Sequence, residues 1–483
     1  MNMADPPQLA DSPTDWIDET FAAQWPASLA LRQSTAAQRI AKLRRFADAL
    51  IARRSAWYEA FAQDFSKPPA EVESTELLPV IEEVRHAVNH LRRWMKPVRV
   101  RATWLTLGTH SRIEAQPRGR CLILGPWNYP VNTVLCPLVS AIAAGNTVMV
   151  KPSELTPAVS RLVGELIAEV FSPDEVVVVP GGVRTAQHLL GLPFDHIFFT
   201  GSPAVGKLVM KAAADHLSSV TLELGGQSPV IVDETADLQK AAEVVMWGKL
   251  INLGQSCVAP DHVFVHRSVR VAFVRACAEV VRARFGHSGA DQQASPDLAR
   301  IINLRHTGRI AQLVSQAEQA GATMALGSPV DHERRFIPPT LLTDLPASAE
   351  ILDEEIFGPV LPIIDYDSLD EVIARINAKP KPLALYIWSR REAITRRLVD
   401  ETSSGGVCVN HCMLHYVHGG LPFGGVNNSG MGSSHGHFGF KAFSHERAVL
   451  RAGWTLPARF MFPPYTPFKS RLVQGLVEVL RRL

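Results

Sequence analysis

CLILGPWNYPVNTVLCPLVSAIAAGNTVMVK, residues 121–151, is the stretch on which the fold turns. It opens on an apolar run of strand length and breaks at Gly125 and Pro126. An apolar helical pattern follows over 131–144, then Gly145 and Asn146, then a second apolar run over 147–151. Two apolar strands joined by a helix make a βαβ unit, whose strands lie parallel and are covered on both faces. The pattern continues outward, with strands expected at 175–179, 196–200 and 220–224 and helices near 158–171, 185–190 and 204–216. Such alternation predicts an α/β fold with a doubly wound parallel sheet of the dinucleotide-binding kind.

After Gly225 and Gly226 a second alternating run begins, with strands at 229–232, 262–266, 383–388 and 405–409 and helices near 238–250 and 269–284. A second α/β domain is expected, hinged near 223–228, where two glycines relax the backbone. Upstream, Ser34 opens a helical period running to about Phe65, with Ile40, Leu43, Phe46, Leu50 and Ile51 on one stripe. A further helix is expected over 71–95, and residues 96–115 read as β around a turn at Gly108. Residues 465–483 form an amphipathic pattern through Phe468, Leu472, Leu476, Val479 and Leu480. That segment is expected to pack on the body or a partner subunit rather than on a membrane, because one short helix is a weak anchor.

A chain of 483 residues calls for two or more cores. Lys and Arg number 49 against 47 Asp and Glu, a balance that argues against nucleic acid as the main partner. Six cysteines, mostly inside apolar runs, indicate a reducing compartment without disulfides. Residues 1–16 hold no apolar core of a signal peptide, and the longest apolar stretch, 134–150, is broken by Pro137, Gly145 and Asn146. A cytoplasmic protein with no membrane span is expected.

Several residues carry chemistry. Cys257 lies in a short polar, glycine-containing stretch after an apolar helix, where a thiolate could attack a carbonyl carbon if a base or dipole assisted. Read alone, it is equally a buried apolar cysteine. Glu223 sits in an apolar strand, where desolvation would raise its pKa into the range of a general base; the alternative is a salt-bridged structural glutamate. The Asn128 amide, in a strand-to-helix turn, could donate to an oxyanion or cap the next helix. Ser202 and Pro203 open a helix whose N-terminus could hold a pyrophosphate, although the middle glycine of the dinucleotide fingerprint is missing. Lys151 and Glu154 end a strand at the same face and could bracket a ribose, and Glu355 and Phe357 stand near a turn. Cys408, His411, Cys412, His415 and His418 approach zinc spacing, but Cys408 and His411 should point oppositely from a strand, so no metal is expected there.

Taken in order, PWNYP (126–130), KPSE (151–154), FTGSPAVG (199–206), ELGG (223–226), GQSCVAPD (254–261), EEIFGP (354–359) and PFGGVNNSGMG (422–432) resemble the aldehyde dehydrogenase superfamily. VAPD after the cysteine and FSHER at 443–447 are similar to its class 3 branch, and within it to bacterial coniferyl aldehyde dehydrogenases. The resemblance implies Cys257 as nucleophile, Glu223 as general base, and Asn128 with the Cys257 backbone N–H as oxyanion hole. It implies that Gly201, Ser202, Val205 and Gly206 lie by the pyrophosphate of NAD, with NADP also accepted. Lys151 and Glu154 would meet the adenine ribose, and Glu355 and Phe357 the nicotinamide ribose and ring. It also implies a β oligomerisation flap and a homodimer. The expected division is then a cofactor domain over 1–97 and 117–224 and a catalytic domain over 225–416. Oligomerisation or bridging segments would cover 98–116 and 417–445, and a tail 446–483. Gln227, Asn427 and His262 depart from the usual lysine, glycine and tyrosine, and the last two imply a reshaped substrate pocket. Trp127, Tyr129 and Tyr416 would line a tunnel for aromatic or medium- to long-chain aldehydes. A CoA-acylating relative and a catalytically silent scaffold are the rival readings. Glu223 argues against the first, and the joint presence of Cys257, Glu223 and Asn128 against the second.

Overall fold

The apolar runs form two largely parallel sheets in a computed structural model, which describes residues 9–453 and 461–482. In the first, Arg120–Leu124 is central, with Thr147–Lys151 and Val176–Val178 on one side and His196–Gly201 and Ser219–Leu224 on the other, all parallel. Strand order therefore reverses between Arg120–Leu124 and His196–Gly201, and a doubly wound sheet opens a crevice beyond the carboxyl ends at that point. Alternate residues of one strand serve two cores. Ile123, Val148, Val150 and Phe198 belong to the larger one, whereas Leu122, Leu124, Met149, Ile197 and Phe199 meet Ile17, Phe21, Leu189 and Val209 on the opposite face. Gly430–Met431 adds an antiparallel edge that pairs Gly430 with Glu223.

The second sheet runs in the order Thr323–Leu326, Thr340–Thr343, Val360–Tyr366, His262–His266, Pro229–Val232, Ala384–Trp388 and Gly406–Val409. Only Thr323–Leu326 is antiparallel. A third, antiparallel sheet joins Val98–Val100, Thr109–Pro117 and Ser444–Ala452. Gly108, at φ 84°, makes its turn. The ladder between Thr109–Pro117 and Ser444–Ala452 runs unbroken across the division expected between residues 445 and 446.

The helix expected from Ser34 to Phe65 is two helices, Ala36–Ala52 and Arg54–Phe65. Thr35, not Ser34, caps the first, its hydroxyl and the Gln38 side chain forming a reciprocal box. Arg53 leaves helical geometry, and the Trp57 indole N–H takes the Leu50 carbonyl (3.1 Å) that a continuous helix would have used. Thr14–Arg32 is a helix that the sequence reading did not anticipate, and it supplies Ile17 and Phe21 to the core. The reading of residues 1–16 as lacking a signal peptide lies partly outside the described residues, and so does that of the tail at 454–460 and 483. No helix among the described residues is long and apolar enough to cross a membrane.

Candidate active site

The first sheet presents the carboxyl ends of its strands, and the second contributes loops that precede its strands His262–His266 and Val360–Tyr366. Cys257 is on the first of these loops. Helix Leu238–Leu250 ends in a tight turn in which Asn252, Leu253 and Gly254 are all left-handed (φ 52°, 50° and 77°). Two non-glycine residues in that region persist only when their surroundings hold them. The Asn252 amide donates to the carbonyls of Asn128 (2.9 Å) and Gln255 (3.1 Å). The Gln255 amide donates to the carbonyls of Asn252 and Arg300 (both 3.0 Å) and accepts from the Ile302 N–H (2.9 Å). Gly254 has no substitute, because a Cβ there would lie 2.3 Å from the Gly358 carbonyl oxygen. Downstream, the buried Tyr386 hydroxyl donates to the Val258 carbonyl (2.6 Å). The half-buried Cys257 is thus fixed from both sides.

Its electrostatic setting is acidic. Burial, then Glu355 and Glu223, push the Cys257 thiol up to about 12. Glu223 is 5% exposed, and neither of its carboxylate oxygens has a hydrogen-bond partner among the described residues. Burial raises its carboxyl to about 8, opposed weakly by Ser434. Burial and then Asp261 bring Glu355 to about 8 as well, against the Gly226 N–H, Arg309 and Lys249. Its Oε1 is also unpartnered. Both carboxyls therefore hold their protons to a higher pH than a solvated glutamate does.

Asn128 is buried, and its amide donates to the Gln255 carbonyl (3.1 Å), two residues before the cysteine. It does not cap the following helix. Glu76 serves that end instead, its Oε2 accepting from the N–H groups of Val131 (3.2 Å) and Asn132 (2.9 Å). On the other flank Lys151 reaches the Glu154 carboxylate (3.0 Å) at the end of its strand. Ser202 caps helix Pro203–Asp215, accepting from the Val205 N–H (3.4 Å) beside Gly201. Gly206 allows that helix to approach Leu224, since a Cβ would fall 2.7 Å from its Cδ2. Glu355 Oε2 would lie 2.3 Å from a Cβ on Gly225, so ELGG and EEIFGP meet directly. Phe357, left-handed at φ 53°, sets its ring edge-on to Trp127 at 5.4 Å.

A family model described as the aldehyde dehydrogenase family matches residues 8–449. The chain belongs to that family. A 4,4'-diaponeurosporen-aldehyde dehydrogenase of Staphylococcus aureus is 42% identical over 88% of this chain and 91% of its own. Aldehyde dehydrogenase family 3 member A2 of Macaca fascicularis is 42% identical over 88% and 86%. A probable coniferyl aldehyde dehydrogenase of Pseudomonas aeruginosa is 40% identical over 97% and 98%. Among solved structures, the substrate-bound state of Staphylococcus aureus AldH superposes with a TM-score of 0.90 at 39% identity, covering 95% of this chain and 99% of that one. The NAD+ complex of a Bacillus cereus aldehyde dehydrogenase does so with 0.83 at 26%, covering 92% and 90%.

In this aldehyde dehydrogenase the sequence reading missed the support behind the site. Lys67 and Glu76 form a fully inaccessible ion pair (2.6 Å), and Glu71 accepts from the Asn252 N–H (2.8 Å). The available signal was Glu76 and Glu83, seven residues apart on the same buried stripe as Val80 and Ala87. Gln227 donates to the carbonyls of Leu352 (2.9 Å) and Glu354 (3.1 Å) and so ties ELGG to the segment carrying Glu355. Of the expected tunnel residues, Trp127 packs on Phe357 and His306, and Tyr129 lies over the Lys67 ammonium at 4.1 Å. Tyr416 clusters with Phe423 and His435 (both 4.8 Å) and donates to the Asn132 side-chain oxygen (2.7 Å). Among the described residues no three His, Cys, Asp or Glu side chains converge as metal ligands.

Proposed function

We propose that the protein oxidises a hydrophobic aldehyde, aromatic or of medium to long chain and with coniferyl aldehyde in that class, to its carboxylic acid with NAD(P). The observation that carries this reading is Glu223. It is a buried carboxyl raised to about 8, close enough to Cys257 for its charge to help push the thiol up. An unsatisfied buried carboxylate is expensive in a structural role and apt for proton transfer.

Ionised Glu223 takes the proton of Cys257 and passes it to solvent, and the sulfur bonds the carbonyl carbon as the C=O electron pair moves onto oxygen. The resulting oxyanion accepts from the Asn128 amide and the Cys257 backbone N–H. The nicotinamide of NAD(P), when bound, supplies the acceptor for the hydride that this adduct expels. Glu223 then takes a proton from water, the hydroxide adds to the Cys257 thioester, the C–S bond breaks, and the acid leaves. The chain's residues fit such a cofactor. Glu355 carries an unpartnered buried oxygen suited to ribose hydroxyls, with the Phe357 ring two residues away. Gly201, Ser202, Val205 and Gly206 form a helix N-terminus suited to the pyrophosphate. Lys151 and Glu154 suit the adenine ribose, and the Glu154 carboxylate favours NAD over NADP by repelling a 2′-phosphate. The cluster of Tyr416, Phe423 and His435 supports a hydrophobic, aromatic-tolerant substrate.

The expected domain division, cytoplasmic location and homodimer belong to the same proposal. Val98, Val100, Leu107 and Leu450, exposed on or beside the three-stranded sheet, support a subunit contact there. The test is to trap the protein with a labelled aldehyde and oxidised cofactor and map the adduct by mass spectrometry. A single label on Cys257 is expected. Label elsewhere, or none, removes the reading.

A further inference from the structure

The helix Pro467–Arg482 contains no buried residue. Its sixteen positions divide by helical spacing into two faces. Phe468, Leu472, Val473, Leu476, Val477, Val479 and Leu480 occupy one, and Ser470, Arg471, Gln474, Glu478, Arg481 and Arg482 the other. Phe468 is 71% exposed and Val479 57%, and Met461, Phe462 and Tyr465 just before the helix are exposed as well. Lys469 starts on the apolar side but turns back, its ammonium donating to the Phe462 carbonyl (2.7 Å). Of the two expected covers for the tail, the body of its own chain and a partner subunit, the first does not cover the apolar face among the described residues.

We propose that this helix docks the protein flat on an anionic lipid surface. Four cations, Lys469, Arg471, Arg481 and Arg482, stand against one acid, Glu478. Only Arg481 is ion-paired among the described residues, with Glu478 at 2.9 Å. An apolar half, a basic polar half and an aromatic approach are what an in-plane interfacial helix requires, and anionic headgroups complement the free arginines. A second copy packed antiparallel would bring one glutamate against four cations, whereas anionic headgroups can offset all of them. The helix is too short and too charged to span a bilayer. A docked enzyme would meet aldehydes dissolved in the lipid. That use rests on the hydrophobic-substrate reading above, whereas docking itself does not.

The experiment is co-sedimentation of the full chain with vesicles of phosphatidylcholine alone and of phosphatidylcholine with phosphatidylglycerol, with light scattering for mass and thermal melting for fold. We expect binding to the anionic vesicles, roughly ten-fold weaker binding to the neutral ones, and weakening by salt. Leu472→Glu with Val479→Glu should abolish it, and Arg471→Glu with Arg482→Glu should remove the preference for anionic lipid, both without a change in melting midpoint. A chain that stays in the supernatant with both vesicles overturns the proposal. So does unchanged binding by the Leu472→Glu, Val479→Glu variant. A halved mass in that variant also overturns it, in favour of a second copy. Because these readouts involve no turnover, they stand or fall separately from the adduct-mapping test of the chemistry.

Discussion

Glu76 and Glu223 are both buried glutamates close to the reacting cysteine's loop, and they are treated in opposite ways. Glu76 gives one oxygen to Lys67 and the other to the N–H groups of Val131 and Asn132. Glu223 has only the Ser434 side chain acting on its carboxylate, with no hydrogen bond of ordinary geometry among the described residues. Burial pushes both carboxyls upward, but at Glu76 an ammonium and two N–H groups resist, and at Glu223 only Ser434 does. The difference teaches how the fold allots its buried charge. A satisfied carboxylate braces the PWNYP turn and, through Glu71 on the same helical segment, the cysteine loop. An unsatisfied one is held ready for a proton.

Four experiments press on that contrast. The largest effect belongs to the group both glutamates serve: Cys257→Ala should lower NAD(P)H formation by on the order of ten-thousand-fold or more, read by initial rates at 340 nm. Next, Glu76→Ala leaves Lys67 buried without its partner and should lose about 3–5 kcal/mol in urea unfolding. The double change Lys67→Met with Glu76→Leu should recover most of it; equal loss in both would show that the brace works by something other than charge pairing. Glu223→Gln should behave in reverse, with stability kept or raised and thioester hydrolysis slowed about a hundred- to a thousand-fold in stopped-flow.

The same variant carries a pH signature. With its folded pKa raised to about 8, Glu223 holds a proton in the native chain that the unfolded chain releases near 4.5. Its contribution to stability therefore falls as pH rises from about 4.5 to 8, and hydrolysis, which needs the ionised base, rises through about 8. Glu223→Gln should flatten both slopes, and slopes left intact would assign them to another group. The smallest effect is at Glu154: Glu154→Gln should shift the ratio of kcat/KM for NADP over NAD upward about ten-fold, by easing repulsion of the 2′-phosphate.

Much of the fold was legible because its strands are buried on both faces and read as plain apolar runs. The strand Pro229–Val232, the helix Leu238–Leu250 and the strand His262–His266 fall where expected. Thr323–Leu326 and Thr340–Thr343 did not stand out, being only four residues each. The break at Arg53 was invisible because the apolar stripe persists on both sides of it, and the competing hydrogen bond comes from Trp57 one turn on. The site residues were nameable from their motifs. Neither the left-handed turn over Asn252, Leu253 and Gly254 nor the bracing by Gln255 and Glu71 was, since those bonds join segments far apart in the chain.

The sequence by itself determined the family, the alternating architecture and which side chains have the chemistry to react, because composition, periodicity and ordered motifs are local properties. Only the tertiary structure decided which buried glutamate is neutralised and which is left bare. That distinction depends on what surrounds each carboxylate, and the partners of Glu76 and the empty setting of Glu223 are assembled from segments that meet only once the two sheets have packed.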